Sequence, residues 1–60
     1  MKTKEEIIKA ILNEFSYEWS CESLYKLSYE WRKTNKKMDE IPSAYELAEW
    51  IAKKRNLIDT

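Results

Sequence analysis

Apolar residues recur at helical spacing along most of the chain. Ile7, Ile8, Ile11, Leu12 and Phe15 form one stripe, with Lys2, Glu6, Lys9 and Asn13 opposite, which is the period of an amphipathic helix. Thr3 and Glu6 have the spacing of a capping box, in which each side chain can satisfy the other's free backbone N–H. Glu5 and Lys9 are set for an i,i+4 ion pair. This pattern predicts a first helix over 3–15. Further on, Cys21, Leu24, Leu27, Trp31 and Met38 fall on one face and Glu22, Ser23, Lys26, Glu30, Lys33 and Lys37 on the other. A second helix is predicted over 20–36, capped by Ser20 or Ser23. Lys36 to Pro42 reads as a linker.

A third helix, over 43–56, begins with a second capping box, Ser43 and Glu46. Pro42 or Ile41 is placed to staple against Leu47. Ala44, Leu47, Ala48, Ile51 and Ile58 make its buried stripe, while Glu46, Glu49 and Lys53 face water. Lys53, Lys54 and Arg55 complement the dipole at its C-terminal end. Asn56 is the expected C-cap, and Leu57 and Ile58 are placed to fold back onto the core.

Phe15 to Glu22 breaks the pattern by alternating apolar and polar residues, which is a strand period. The tetrapeptide Ser-Tyr-Glu-Trp occurs at 16–19 and again at 28–31, so a hairpin is conceivable, but Glu22 to Lys26 holds no turn residue. Residues 15–21 therefore stay open between helix, strand and loop. The chain has no glycine and one proline, whereas hairpins draw on glycine or Asn-Gly turns. The expected fold is all-α, a small three-helix bundle forming a single helical domain over 1–60.

A chain of 60 residues buries only about 60% of the surface it exposes when unfolded, so its core is small. Three Trp, four Tyr and one Phe are more aromatics than such a core needs, and the surplus belongs at its edge or on the surface. Trp19 is expected as a core plug. Cys21, beside Leu24 on the apolar face, is expected as a small buried hydrophobe. One cysteine allows no intrachain disulfide, and with no histidine the four Cys or His ligands of structural zinc are absent. No metal and no cofactor are expected. The commonest general base is missing too, no glycine-rich loop can cradle phosphate, and a bundle of this size is expected to lack room for a substrate pocket. The chain is not expected to be an enzyme.

Eleven basic and eleven acidic side chains balance to zero, unlike the clear basicity of most nucleic-acid binders. The charged N-terminus leads into no apolar signal region, and no apolar run reaches the ~20 residues of a membrane span. With a lone cysteine, this points to a reducing cytoplasm. Charge is distributed unevenly all the same. Arg32, Lys33, Lys36 and Lys37 form one basic cluster and Lys53, Lys54 and Arg55 another, while Glu14 to Glu30 is acidic. A bipolar surface of this kind favours an oriented complex or self-association.

On the second helix Tyr25, Tyr29, Arg32 and Lys36 share one flank, spaced i, i+4, i+7 and i+11. Tyrosine and arginine dominate binding hot spots, and Trp50 on the third helix raises the same question. These five are the candidate partner-binding residues. The segment Pro42-Ser43-Ala44-Tyr45-Glu46-Leu47-Ala48-Glu49-Trp50 resembles the opening helix of some bacterial helix-turn-helix domains, which often read Pro-Ser-x-x-Glu-Leu-Ala. The likeness covers nine residues, and Ile51 to Arg55 continues the helix where that motif needs a tight turn, so no DNA-reading residue is carried over. The leading expectation is an intracellular protein-interaction module, a regulator or inhibitor of phage or mobile-element type that docks a helical face on a larger protein. The alternative is a small nucleic-acid-binding protein using the basic helix ends and surface aromatics. A homodimer would supply stability that the small core lacks.

Overall fold

A computed structural model describes residues 2–59. It contains three helices, α1 (Lys4–Tyr17), α2 (Cys21–Thr34) and α3 (Ala44–Lys54), in an all-α bundle. Among the described residues there is no strand. The alternating segment divides instead. Phe15 to Tyr17 completes α1, Glu18 caps it, and Ser20 opens α2 after a connection of Glu18, Trp19 and Ser20. Of the segment's alternating apolar positions, Phe15 and Trp19 turn inward, while Tyr17 and Cys21 stay exposed. Phe15 is buried, and Trp19 packs edge-on against it, with ring centroids 5.3 Å apart at 79°. Trp19 thus closes the core at the corner, as expected.

All three helices start as the capping pattern predicts. Thr3, Ser20 and Ser43 are extended N-caps whose hydroxyls accept from the backbone N–H three residues on. The Thr3 hydroxyl also donates to the Glu6 carboxylate at 3.3 Å. The helices end earlier or later than the predicted bounds. α1 runs two residues past Phe15, whereas α2 and α3 each stop two residues short of 36 and 56. Both of the latter close in a left-handed residue, Lys36 at φ 56° and Asn56 at φ 58°. Lys37 N–H donates to Arg32 O at 2.9 Å and Lys36 N–H to Lys33 O at 3.3 Å. Leu57 N–H to Ala52 O and Asn56 N–H to Lys53 O repeat the arrangement. These are Schellman caps, which satisfy carbonyls that the helix leaves free.

The core is Ile8, Ile11 and Phe15 of α1, Trp31 of α2, and Leu47, Ala48, Ile51 and Ala52 of α3. α1 and α3 form its main contact, and α2 adds a smaller one on α3. Side-chain pairs fix how α1 and α3 lie. Lys4 meets Glu49 and Tyr45 meets Glu5 near their starts, while Arg55 meets Glu14 near their ends. The two helices therefore run parallel, and α2, about 21 Å long at 1.5 Å per residue, carries the chain back between them.

Several expected core positions lie outside it. Cys21 is exposed: on the helical wheel it lies roughly 80° from Trp31, off the buried edge. Met38 is exposed because α2 has ended before it, and Ala44 is exposed in the first turn of α3. Pro42, not Ile41, takes the staple position, and it is buried with Leu47. Glu5 accepts from Tyr45, and among the described residues no Glu5–Lys9 pair forms. Ile58 folds onto the core, but Leu57 stays out.

Candidate functional site

α2 contributes a single buried side chain, Trp31, at 8% exposure. Leu24 and Leu27 are half-buried beside it. The helix thus rests on one edge and offers its outer flank to solvent. On that flank Tyr25 is 68% and Tyr29 45% exposed. Lys36 is exposed at the left-handed cap, and Arg32 is half-buried with its Nε enclosed and unpartnered. Among the described residues neither Arg32 nor Lys36 has a carboxylate partner. Tyr25, Tyr29 and Arg32 therefore share one flank of α2, with Lys36 just past its end.

Trp50 lies elsewhere. It lines an open groove of about 240 Å³ with Trp31, Asn35, Glu46, Glu49 and Lys53. The groove is open and smaller than the roughly 300–1,000 Å³ of ligand pockets, and Trp31 of α2 and Trp50 of α3 both line it. Glu49 and Lys53, expected to face water, are half-buried in its wall. Asn35 is held in place by donating its side-chain amide to Trp31 O at 2.8 Å. Lys4 holds Glu49 at 2.8 Å. That hydrogen bond, followed by the lysine's charge, keeps the Glu49 carboxyl below its ordinary value and raises Lys4 in return. The Tyr45 phenol is raised by its hydrogen bond to Glu5.

Three of the seven cations in the two basic clusters are engaged by their own chain. Arg55 grips Glu14 through both terminal nitrogens. Lys54 sits 4.3 Å from the Trp50 ring centre and Lys37 5.7 Å from that of Trp31, the geometry of cation–π contact. Lys37 also lies 3.9 Å from Glu40. Of the groove residues, sequence reasoning had placed Trp31 in the core and Trp50 on a flank. That they line one groove depends on how α2 packs on α3, which no local pattern encodes.

Among the described residues no three His, Cys, Asp or Glu gather as metal ligands, and no helix is long and apolar enough to cross a membrane. α3 continues unbroken through Trp50 to Lys54, without the turn of a helix-turn-helix. The chain matches no protein-family model, no curated protein and no solved structure.

Proposed function

We propose that the chain is an intracellular protein-interaction module, a small regulator or inhibitor of the kind phages and mobile elements encode, which docks the outer flank of α2 on a larger protein. One observation carries this reading. Tyr25 and Tyr29 stand exposed beside Arg32 and Lys36 on a helix anchored by a single buried side chain. Folding leaves large amphipathic rings unused there, and such rings with arginine supply most of the energy of protein interfaces. The neutral net charge and the self-paired cations of Arg55, Lys54 and Lys37 favour a protein partner over nucleic acid. An unpaired, exposed cysteine suits a reducing compartment.

The test compares capture from host lysate by the immobilised chain and by a Tyr25→Ala/Tyr29→Ala variant, with quantitative mass spectrometry. A specific partner should be retained by the first and lost by the second. Equal capture by both would remove the α2 flank from the reading. Binding to DNA or RNA that falls by about 0.9 log units per log unit of salt for each phosphate contacted would replace it with the nucleic-acid alternative.

A further inference from the structure

Glu22, Tyr25, Tyr29, Arg32 and Lys36 are spaced 3, 4, 3 and 4 residues apart. At 100° per residue the first four fall within an arc of roughly 80° on α2, and Lys36 lies past its end, at the left-handed cap. Glu22 and Tyr29, like Tyr25 and Arg32, stand seven residues apart, the spacing of a seam along which two helices pack side by side. The bundle does not use this seam. The core edge of α2, Leu24, Leu27 and Trp31, lies beside it, and both tyrosines of the seam are exposed. From this geometry we infer that α2 pairs with α2 of a second copy of the chain, antiparallel about a two-fold axis level with position 27.

The register follows from the charges. A two-fold axis at 27 sets each position opposite the one equally far on the other side. Tyr25 then faces Tyr29 of the second copy, and Glu22 faces its Arg32, each contact occurring twice. The central layers are aromatic, with rings suited to offset or edge-on contact, and the flanking layers are of opposite charge. A parallel pairing would set Glu22 on Glu22 and Arg32 on Arg32, which like-charge repulsion opposes. Each acid and base is available for the contact. Arg32 has no carboxylate partner among the described residues, and Glu22 has only a loose 3.6 Å pair with Lys26. The second copy thus fits by both shape period and charge, as an isologous interface requires.

Two helices about 21 Å long bury less than ~1,200 Å² between them, the size of a transient contact. The dimer therefore exchanges with monomer and weakens as salt screens its end layers. This self-pairing does not rest on the existence of a larger partner. A dimer that forms would compete for the same flank, so the two readings fail separately. A strictly monomeric chain leaves the docking proposal standing, and the absence of any lysate partner leaves the dimer standing.

Sedimentation equilibrium of the purified chain from about 10 µM to about 1 mM, a range suited to weak interfaces, tests the pairing. The wild type should approach the mass of two chains. Glu22→Arg and Arg32→Glu should each weaken association about tenfold, because two symmetric pairs change from attraction to repulsion. An equimolar mixture of these two variants should recover it, since every position 22 in the mixed dimer again faces an opposite charge at position 32. Tyr25→Ser/Tyr29→Ser, which removes no buried side chain, should abolish it, and circular dichroism checks that each variant keeps its helices. A wild type of single-chain mass throughout would overturn the pairing. So would reversals without effect, or a mixture that associates no better than its components.

Discussion

Lys36 occupies the left-handed position that ends α2, at φ 56°, in a chain without a single glycine. A side chain with a Cβ pays about 1–2 kcal/mol there. Glycine would relieve that strain, but it loses about 0.5–1 kcal/mol more chain entropy on folding. Removing the lysine also forfeits about 0.3 kcal/mol of cation–dipole attraction at the helix end. Lys36→Gly should therefore stabilise the fold by about 0.5 kcal/mol net, a rise in Tm of about 2–4 °C for a domain of this size. Asn56 holds the same position at the end of α3, at φ 58°. Asparagine visits this region with less strain, so Asn56→Gly should change Tm by less than Lys36→Gly. Lys36→Ala keeps the strain and drops the cation, and should not stabilise. The assay is thermal unfolding of the four proteins followed at 222 nm. If Lys36→Gly gains nothing over Lys36→Ala, or Asn56→Gly gains more than Lys36→Gly, backbone strain is not what these caps store.

Trp31→Ala should cost about 3–5 kcal/mol. A core of this size supplies no more than about 3–5 kcal/mol in total, so the variant should lose its cooperative unfolding transition at 25 °C. Because its folded carboxyl lies below its ordinary 4.5, Glu49 contributes stability that is present above that pH and lost as pH falls through the lower folded value. Unfolding titrations of wild type and Glu49→Gln should therefore converge below pH 4.5. Tyr45 and Lys4, raised from 10.0 and 10.5, contribute below those values and lose their contributions as pH climbs past them. Tyr45→Phe should flatten the alkaline limb of the stability profile. Cys21, exposed on α2, should react with a thiol reagent in the native state as fast as in denaturant. A slow native reaction would mean that the start of α2 is covered.

The helices were legible because their evidence is local. The Ile7–Phe15 and Leu47–Ile51 periodicities and the hydroxyl caps at Thr3, Ser20 and Ser43 each lie within one element. The ends of α2 and α3 were read two residues too long for a physical reason. Glycine is the usual marker of a left-handed helix end, and here lysine and asparagine take that role. The glycine-free composition that argued for an all-α fold thus also hid where its helices stop. Cys21 was misplaced because α2 buries a narrower edge than the apolar face its sequence offers, and Cys21 lies about 80° round the helix from Trp31. The shared flank of Tyr25 and Tyr29 could be read from their i,i+4 spacing alone, but their exposure could not, since rings at the edge of a core can equally pack on a neighbouring helix. The Trp31–Trp50 groove could not, because its halves come from positions 31 and 50 on different helices.

The parallel pairing of α1 with α3 has a consequence for how the chain acquires its structure. The ties that hold the two helices together, Glu5 to Tyr45 and Glu14 to Arg55, join residues 40 and 41 positions apart. Little of the core can form from any shorter stretch, because α2 buries only Trp31 in it, with Leu24 and Leu27 half-buried at its edge. The chain must close a long loop before apolar burial rewards it, which slows folding relative to a bundle of sequential hairpins. A ribosome making this protein would release α1 and α2 with no core to join. Order would then arrive in one step when α3 emerges.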